Sequence, residues 1–207
     1  LVTPSHFALP ILAALRSRLP QEPPSNSSEN PTGLPVPVVW NGSGYESLST
    51  LRALDGRIQI YLPDLKYADP ALGQRYSQPE IADYPERAKA AILAMVRQCG
   101  PYQLDQDGLL RSGVLIRHMI LPGAPENTRA VIDWVRDTFP PHTVLFSLMG
   151  QYTPMPGVGA SFPELAHPLS AQEYQQAEDY LFAAGIEDGF VQEPDASGEN
   201  FIPDFDL

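Results

Sequence analysis

Gln59-Ile60-Tyr61-Leu62-Pro63-Asp64-Leu65-Lys66-Tyr67 is the stretch on which the reading of the chain turns. Ile58, Ile60 and Leu62 alternate as in a strand, Pro63 ends the run, and Asp64 and Lys66 follow two residues apart. In an extended chain that spacing puts both charges on one face. A buried strand therefore delivers two opposite charges together at its C-terminal end. In parallel α/β folds those ends are where ligands meet functional side chains. Spacing alone leaves two readings open: an Asp64–Lys66 ion pair that closes the strand end, or a polar ligand held by both groups.

Outward from this stretch, strand and helix patterns alternate. Residues 1–3 read as the last residues of a strand, and 6–18 as a helix with Ser5 as N-cap. Residues 35–40 are a short apolar run followed by the turn Asn41-Gly42-Ser43-Gly44-Tyr45 and a short helix over 46–54. Two glycines after a strand fit either a tight turn or a backbone that approaches a ligand. Residues 67–84 form a long loop or short-helix segment suited to a binding element or lid, and 87–99 a periodic helix stopped by Gly100-Pro101. A strand over 114–121, a helix over 126–139 and a strand over 143–149 follow. Ser170 and Glu173 make a capping box for a helix to 184, and 190–192 adds a last strand.

With few hairpin signals, this alternation predicts an α/β fold: a parallel sheet with outer helices, barrel-like or doubly wound. Asn41, Asp64, Lys66, Arg117 and Gln151 all fall at or near strand ends, which in a barrel converge on one rim. Arg117 stands out because an arginine inside an apolar strand is costly unless it meets an anion. His118 points to the opposite face and reads as a packing histidine. Cys99 reads as an inert thiol on a helix's apolar face.

The chain has 207 residues, enough for one core, with 43% hydrophobic and 18% charged residues. We expect one domain, with 21–33 a solvated surface insertion and 193–207 an acidic C-terminal tail. A formal charge of −12 argues against a nucleic-acid partner. No apolar run is long enough to span a bilayer, and no secretory signal opens the chain, so a cytoplasmic location is expected. The single cysteine excludes an internal disulfide and a multi-cysteine metal site within these residues.

The ordered set Leu1-Val2-Thr3-Pro4, Trp40-Asn41-Gly42-Ser43-Gly44-Tyr45, Tyr61-Leu62-Pro63-Asp64-Leu65-Lys66-Tyr67, Ile116-Arg117-His118-Met119-Ile120-Leu121-Pro122-Gly123, Ser147-Leu148-Met149-Gly150-Gln151-Tyr152-Thr153-Pro154 and Ile202-Pro203-Asp204-Phe205-Asp206 resembles radical S-adenosylmethionine proteins. The branch is that of pyruvate formate-lyase activating enzyme. The resemblance implies part of a (β/α)6 TIM-type barrel. In that family a 4Fe-4S cluster on a C-x3-C-x2-C loop cleaves S-adenosylmethionine to a 5'-deoxyadenosyl radical that abstracts hydrogen. It further implies a glycyl-radical-type protein substrate and an electron donor such as flavodoxin or ferredoxin. Carried onto this chain, Asp64 and Lys66 contact the methionine moiety or ribose, and Arg117 lies near the cofactor carboxylate. Asn41, Ser43 and Gly44 form the cofactor-facing turn, and Gln151 lies near the ribose or adenine.

The chain departs from the family in having no C-x3-C-x2-C. Three cluster bonds need thiolates, so we expect the cluster loop to precede Leu1 and the chain alone, an incomplete barrel domain, to be inactive. Two alternatives remain open: a cluster-less barrel binding a nucleotide or protein, and a lyase using Lys66 as a Schiff base.

Overall fold

The computed structural model describes residues 1–18, 34, 36–77 and 81–193. A 3-10 turn at Pro4–Phe7 leads into helix α1 (Ala8–Arg18), followed by strand β1 (Val39–Gly42), α2 (Leu48–Leu54), β2 (Ile60–Pro63), α3 (Pro70–Tyr76) and α4 (Tyr84–Cys99). The chain continues through β3 (Gln103–Leu104), β4 (Leu110–Met119), α5 (Pro125–Thr138), β5 (Leu145–Met149), α6 (Val158–Ser161), α7 (Ala171–Ala183) and β6 (Gly189–Gln192). The insertion at 21–33 and the tail from 194 onward lie outside the described residues.

The parallel strands lie in the order β1-β2-β4-β5-β6, each beside its neighbour in the chain. A doubly wound sheet would reverse that order partway. This one winds in a single direction, as a barrel does, but stays open. Residues 1–3 extend it: Val2 bridges Asn41 in parallel, the Thr3 amide donates to the Asn41 carbonyl at 2.9 Å, and the Asn41 amide to the Leu1 carbonyl at 3.0 Å.

The alternation of strand side chains explains the single core. Trp40, Tyr61, Val114, Ile116, Phe146 and Leu148 point to one face and are essentially inaccessible, packed with Leu51 and Leu54 of α2, Ile92 and Met95 of α4, Val131 and Ile132 of α5, and Leu181 of α7. Burial of each large side chain contributes roughly 1.5–3 kcal/mol, so helices and sheet cannot separate without losing most of the fold's apolar stabilisation. On the other face, Asn41, Leu62, Leu115, Arg117 and Met119 are half-buried. That open face carries the polar side chains.

Several element ends differ from expectation for readable reasons. Ser5 does not cap a helix: its Oγ donates to Glu46 at 2.6 Å, and the chain passes through the 3-10 turn before α1 begins at Ala8. Helix α2 starts at Leu48, not 46, because Ser47 is its N-cap, accepting from the Thr50 amide at 3.0 Å. Helix α4 begins at Tyr84, three residues early, with Pro85 in its first turn where no amide hydrogen is needed. The capping box of α7 is complete, with Ser170 and Glu173 each serving the other's backbone amide. The β3–β4 hairpin was not expected. Its turn carries Asp107-Gly108, with Gly108 at φ 77°, a common hairpin signal.

Candidate functional site

Register builds the site. Asp64 bridges Arg117 in parallel just past the end of β2, and Arg117 pairs with Ser147, which pairs with Phe190. Paired residues of a parallel sheet share a face, so Asp64, Arg117, Ser147 and Phe190 form one row across the open face. Asn41 lies one step back on β1, opposite Leu62.

Three charged groups and an amide meet there. Arg117 Nη2 contacts Asp64 Oδ1 at 2.6 Å and donates to Asn41 Oδ1 at 2.7 Å, and Lys66 Nζ lies 2.9 Å from Asp64 Oδ2. The ion-pair reading of Asp64 and Lys66 is thus what the structure contains, with Arg117 as a second cation on the same carboxylate. The side chains are 16% (Asp64), 25% (Arg117) and 42% (Lys66) exposed. Water screens Lys66, so its pair with Asp64 contributes about 1 kcal/mol or less. Two cations on one carboxylate leave an excess positive charge. Arg117 Nε is buried and has no hydrogen-bond partner.

The backbone beneath this cluster is fixed from two sides. The Tyr84 hydroxyl accepts from the Lys66 amide at 3.0 Å and directs its proton between the carbonyls of Ser43 (2.9 Å) and Asp64 (3.0 Å). Burial pushes this phenol far above its ordinary pKa, so it remains a hydroxyl. From α5, the buried Asn127 donates to the Lys66 carbonyl at 2.9 Å and accepts from the Ala68 amide at 2.8 Å. Replacing Asn127 with Ala strands both backbone groups at a cost of about 1–3 kcal/mol. The Ala68 amide should then exchange with deuterium markedly faster, and unchanged protection would show that Asn127 does not hold the segment.

Ser43 and Gly44 are beside the cluster, but their backbone is occupied by packing. The Asp64 amide donates to the Gly42 carbonyl at 3.1 Å, and Gly44 is buried at φ 78° against the Asp64 carbonyl. Ser43 is exposed. Gln151 follows β5, is half-buried, and forms no hydrogen bond to the cluster. Tyr84, Asn127 and the buried Glu46, which accepts from Ser5 and from Trp40 Nε1 at 3.4 Å, escaped the sequence reading. Each sits in a helical or turn pattern that carries no sign of which strand end it will meet.

His118 is fully buried on the helix face, its Nδ1 2.7 Å from the Leu65 carbonyl and Nε2 3.0 Å from Thr128 Oγ1. It is the packing histidine its alternation predicts. Cys99 lies with its thiol 3.7 Å from the Ile58 carbonyl, and burial raises its pKa to about 11, well away from a reactive thiolate. Among the described residues no group of His, Cys, Asp or Glu is arranged to hold a metal ion. No described helix is long and apolar enough to cross a membrane.

Over 92% of its length this chain superposes on a domain of pyruvate-formate lyase-activating enzyme from Bacteroides vulgatus, covering 94% of that domain, with a TM-score of 0.57 at 13% identity. The fold is that of an activating-enzyme domain. The shared architecture is the parallel sheet flanked by helices, here left open. The chain is also 24% identical over 143 residues, 69% of its length, to an uncharacterized protein of Methanocaldococcus jannaschii, and spans 37% of that relative. No family profile matches the chain.

Proposed function

We propose that this chain forms the cofactor-binding C-terminal part of a radical S-adenosylmethionine enzyme of the activating type. The observation that carries the reading is the excess cation on the open face, where Arg117 Nε lacks a partner and Lys66 is part-exposed beside Asp64. A zwitterionic amino-acid end matches that set. Its carboxylate answers Lys66 and Arg117, while the Asp64 carboxylate, with Asn41 beside it, faces an ammonium or hydroxyl. Asn41 also orients the guanidinium, and Tyr84 and Asn127 hold the Lys66 backbone in place. Ser43, Gly44 and Gln151 complete the site in this reading.

The residues present fit S-adenosylmethionine but not the cluster, since the one cysteine is half-buried at the end of α4 with its thiol turned to the Ile58 carbonyl. No step through iron is assigned to them. The chemistry such a cofactor supplies with a reduced cluster is hydrogen abstraction by a 5'-deoxyadenosyl radical, and here we assign it to the longer protein. A glycyl-radical-type protein substrate, a flavodoxin or ferredoxin donor and a cytoplasmic setting belong to the same proposal. A second reading is a cluster-less binder of the same ligand, which the polar cluster on the open face would serve equally. A Schiff-base role is disfavoured because Asp64 engages the Lys66 ammonium.

Isothermal titration with S-adenosylmethionine tests the site. Saturable binding is expected, and Lys66→Ala or Arg117→Met should weaken it by roughly tenfold to a hundredfold, the worth of one charge-assisted hydrogen bond. Circular dichroism should be unchanged. Absence of saturable binding, or equal affinity in both variants, overturns the assignment.

A further inference from the structure

At the opposite end of the sheet, before β5 and β6, lies a cavity of about 400 Å³ between the C-terminal ends of α5 and α7. It falls within the size range of small-molecule sites. Val135, Phe139, Pro141 and Ile186 give it an apolar lining, and His142 and Asp188 stand among its walls.

His142 is held in an unusual way. It adopts φ 63°, a left-handed conformation uncommon for a residue with a side chain. Its amide donates to Asp188 Oδ2 at 2.8 Å, and its Nδ1 lies 3.1 Å from the same carboxylate, which also accepts from the Tyr102 hydroxyl at 2.8 Å. Burial alone would raise the Asp188 pKa, but these hydrogen bonds overcome it and hold the carboxyl below its ordinary value. The Asp188 carboxylate holds the ring by its Nδ1 edge, which leaves Nε2 on the outer, exposed side of the ring.

The balance of charge around the cavity is negative. Arg136 is already paired with Asp133 and Asp137. Glu187 and Asp188 are added to that, and the two helices direct the negative ends of their dipoles here, α7 with no basic residue in its last turn. From the fixed turn at His142, the apolar lining and the surplus of acid, we infer that this cavity binds a small amphipathic amine, whose ammonium faces the Asp188 and Glu187 carboxylates beside His142 and whose apolar body lies on Phe139 and Ile186. The site is independent of the proposed cofactor site.

The probe is phenethylamine, with phenylacetate and phenethyl alcohol as its anionic and neutral counterparts. Two readouts serve: the ring resonances of His142 by NMR, and the fluorescence of Trp134, whose ring packs edge-on against Phe139 at 5.5 Å. Phenethylamine should bind saturably and about tenfold more tightly than phenylacetate, and His142→Ala should weaken it about fivefold or more. Because His142 shapes its turn, Glu187→Lys serves as a second variant. Glu187 is exposed and outside the Asp188 network, and the change should reverse the preference between amine and carboxylate. Equal binding of all three probes, no shift at His142, or an unaltered preference in Glu187→Lys overturns the inference.

Discussion

Gly44→Ala is expected to destabilise the protein by about 3–5 kcal/mol, a large fraction of the 5–15 kcal/mol that keeps a typical domain folded. Two effects add. Gly44 has φ 78°, where a side chain costs roughly 1–2 kcal/mol. A Cβ there would also lie 2.1 Å from the Asp64 backbone oxygen, which cannot retreat as a flexible side chain would. Moving that oxygen would break its bond from Tyr84 and displace the end of β2. Gly56→Ala is the control. Its φ is 72°, but nothing lies within 4 Å of the added carbon, so only the conformational penalty applies. Urea denaturation of the two variants separates the effects, and equal losses would show that the Asp64 contact is not what requires glycine.

The second large effect is acid lability centred on His118. Desolvation lowers its pKa to about 4, although the Leu65 carbonyl pulls the other way. A carbonyl can only accept, so Nδ1 carries the hydrogen and Nε2 accepts from Thr128, which fixes the ring as one neutral tautomer. The unfolded chain takes up a proton near pH 6.5, while the folded one resists until about pH 4. The unfolded state therefore binds more protons between those values, and stability rises with pH across the window. Stability should be level above about pH 6.5 and fall by roughly 3 kcal/mol as the pH drops to 4, at about 1.4 kcal/mol per unit. Denaturation midpoints measured from pH 8 to 4 check this. His118→Gln should remove the slope in that window whatever it does to stability at pH 8, and a persistent slope would place the titration elsewhere.

The strands and their faces were legible because period-2 alternation is a local property. His118 toward the helices and Arg117 away from them follow from adjacency alone, and so do Asp64 and Lys66 emerging together. Sequential strand order was legible only as a choice between two windings, since strand neighbours depend on which crossover packs where. Contacts of long sequence separation were out of reach. The Arg117–Asn41 bond joins residues 76 apart, and Asn127 reaches Lys66 across 61. Tyr84 read as part of a polar loop, although the phenol ties three backbone groups together, because a hydroxyl's partners are chosen by tertiary placement. The glycine turn illustrates the same limit. Its pattern suited a ligand and a close backbone approach equally, and the structure fills the space beside Gly44 with the Asp64 carbonyl.

The row Asp64, Arg117, Ser147, Phe190 has a further consequence. From strand to neighbouring strand its character passes from ionic through a buried hydroxyl to an exposed aromatic ring, Phe190 being 56% accessible. A surface graded in this way has polarity in the geometric sense. An elongated molecule with a charged head and a flat, unsaturated tail would match it in one orientation and mismatch it when turned end for end, so the direction in which such a molecule lies is written into the order of the strands.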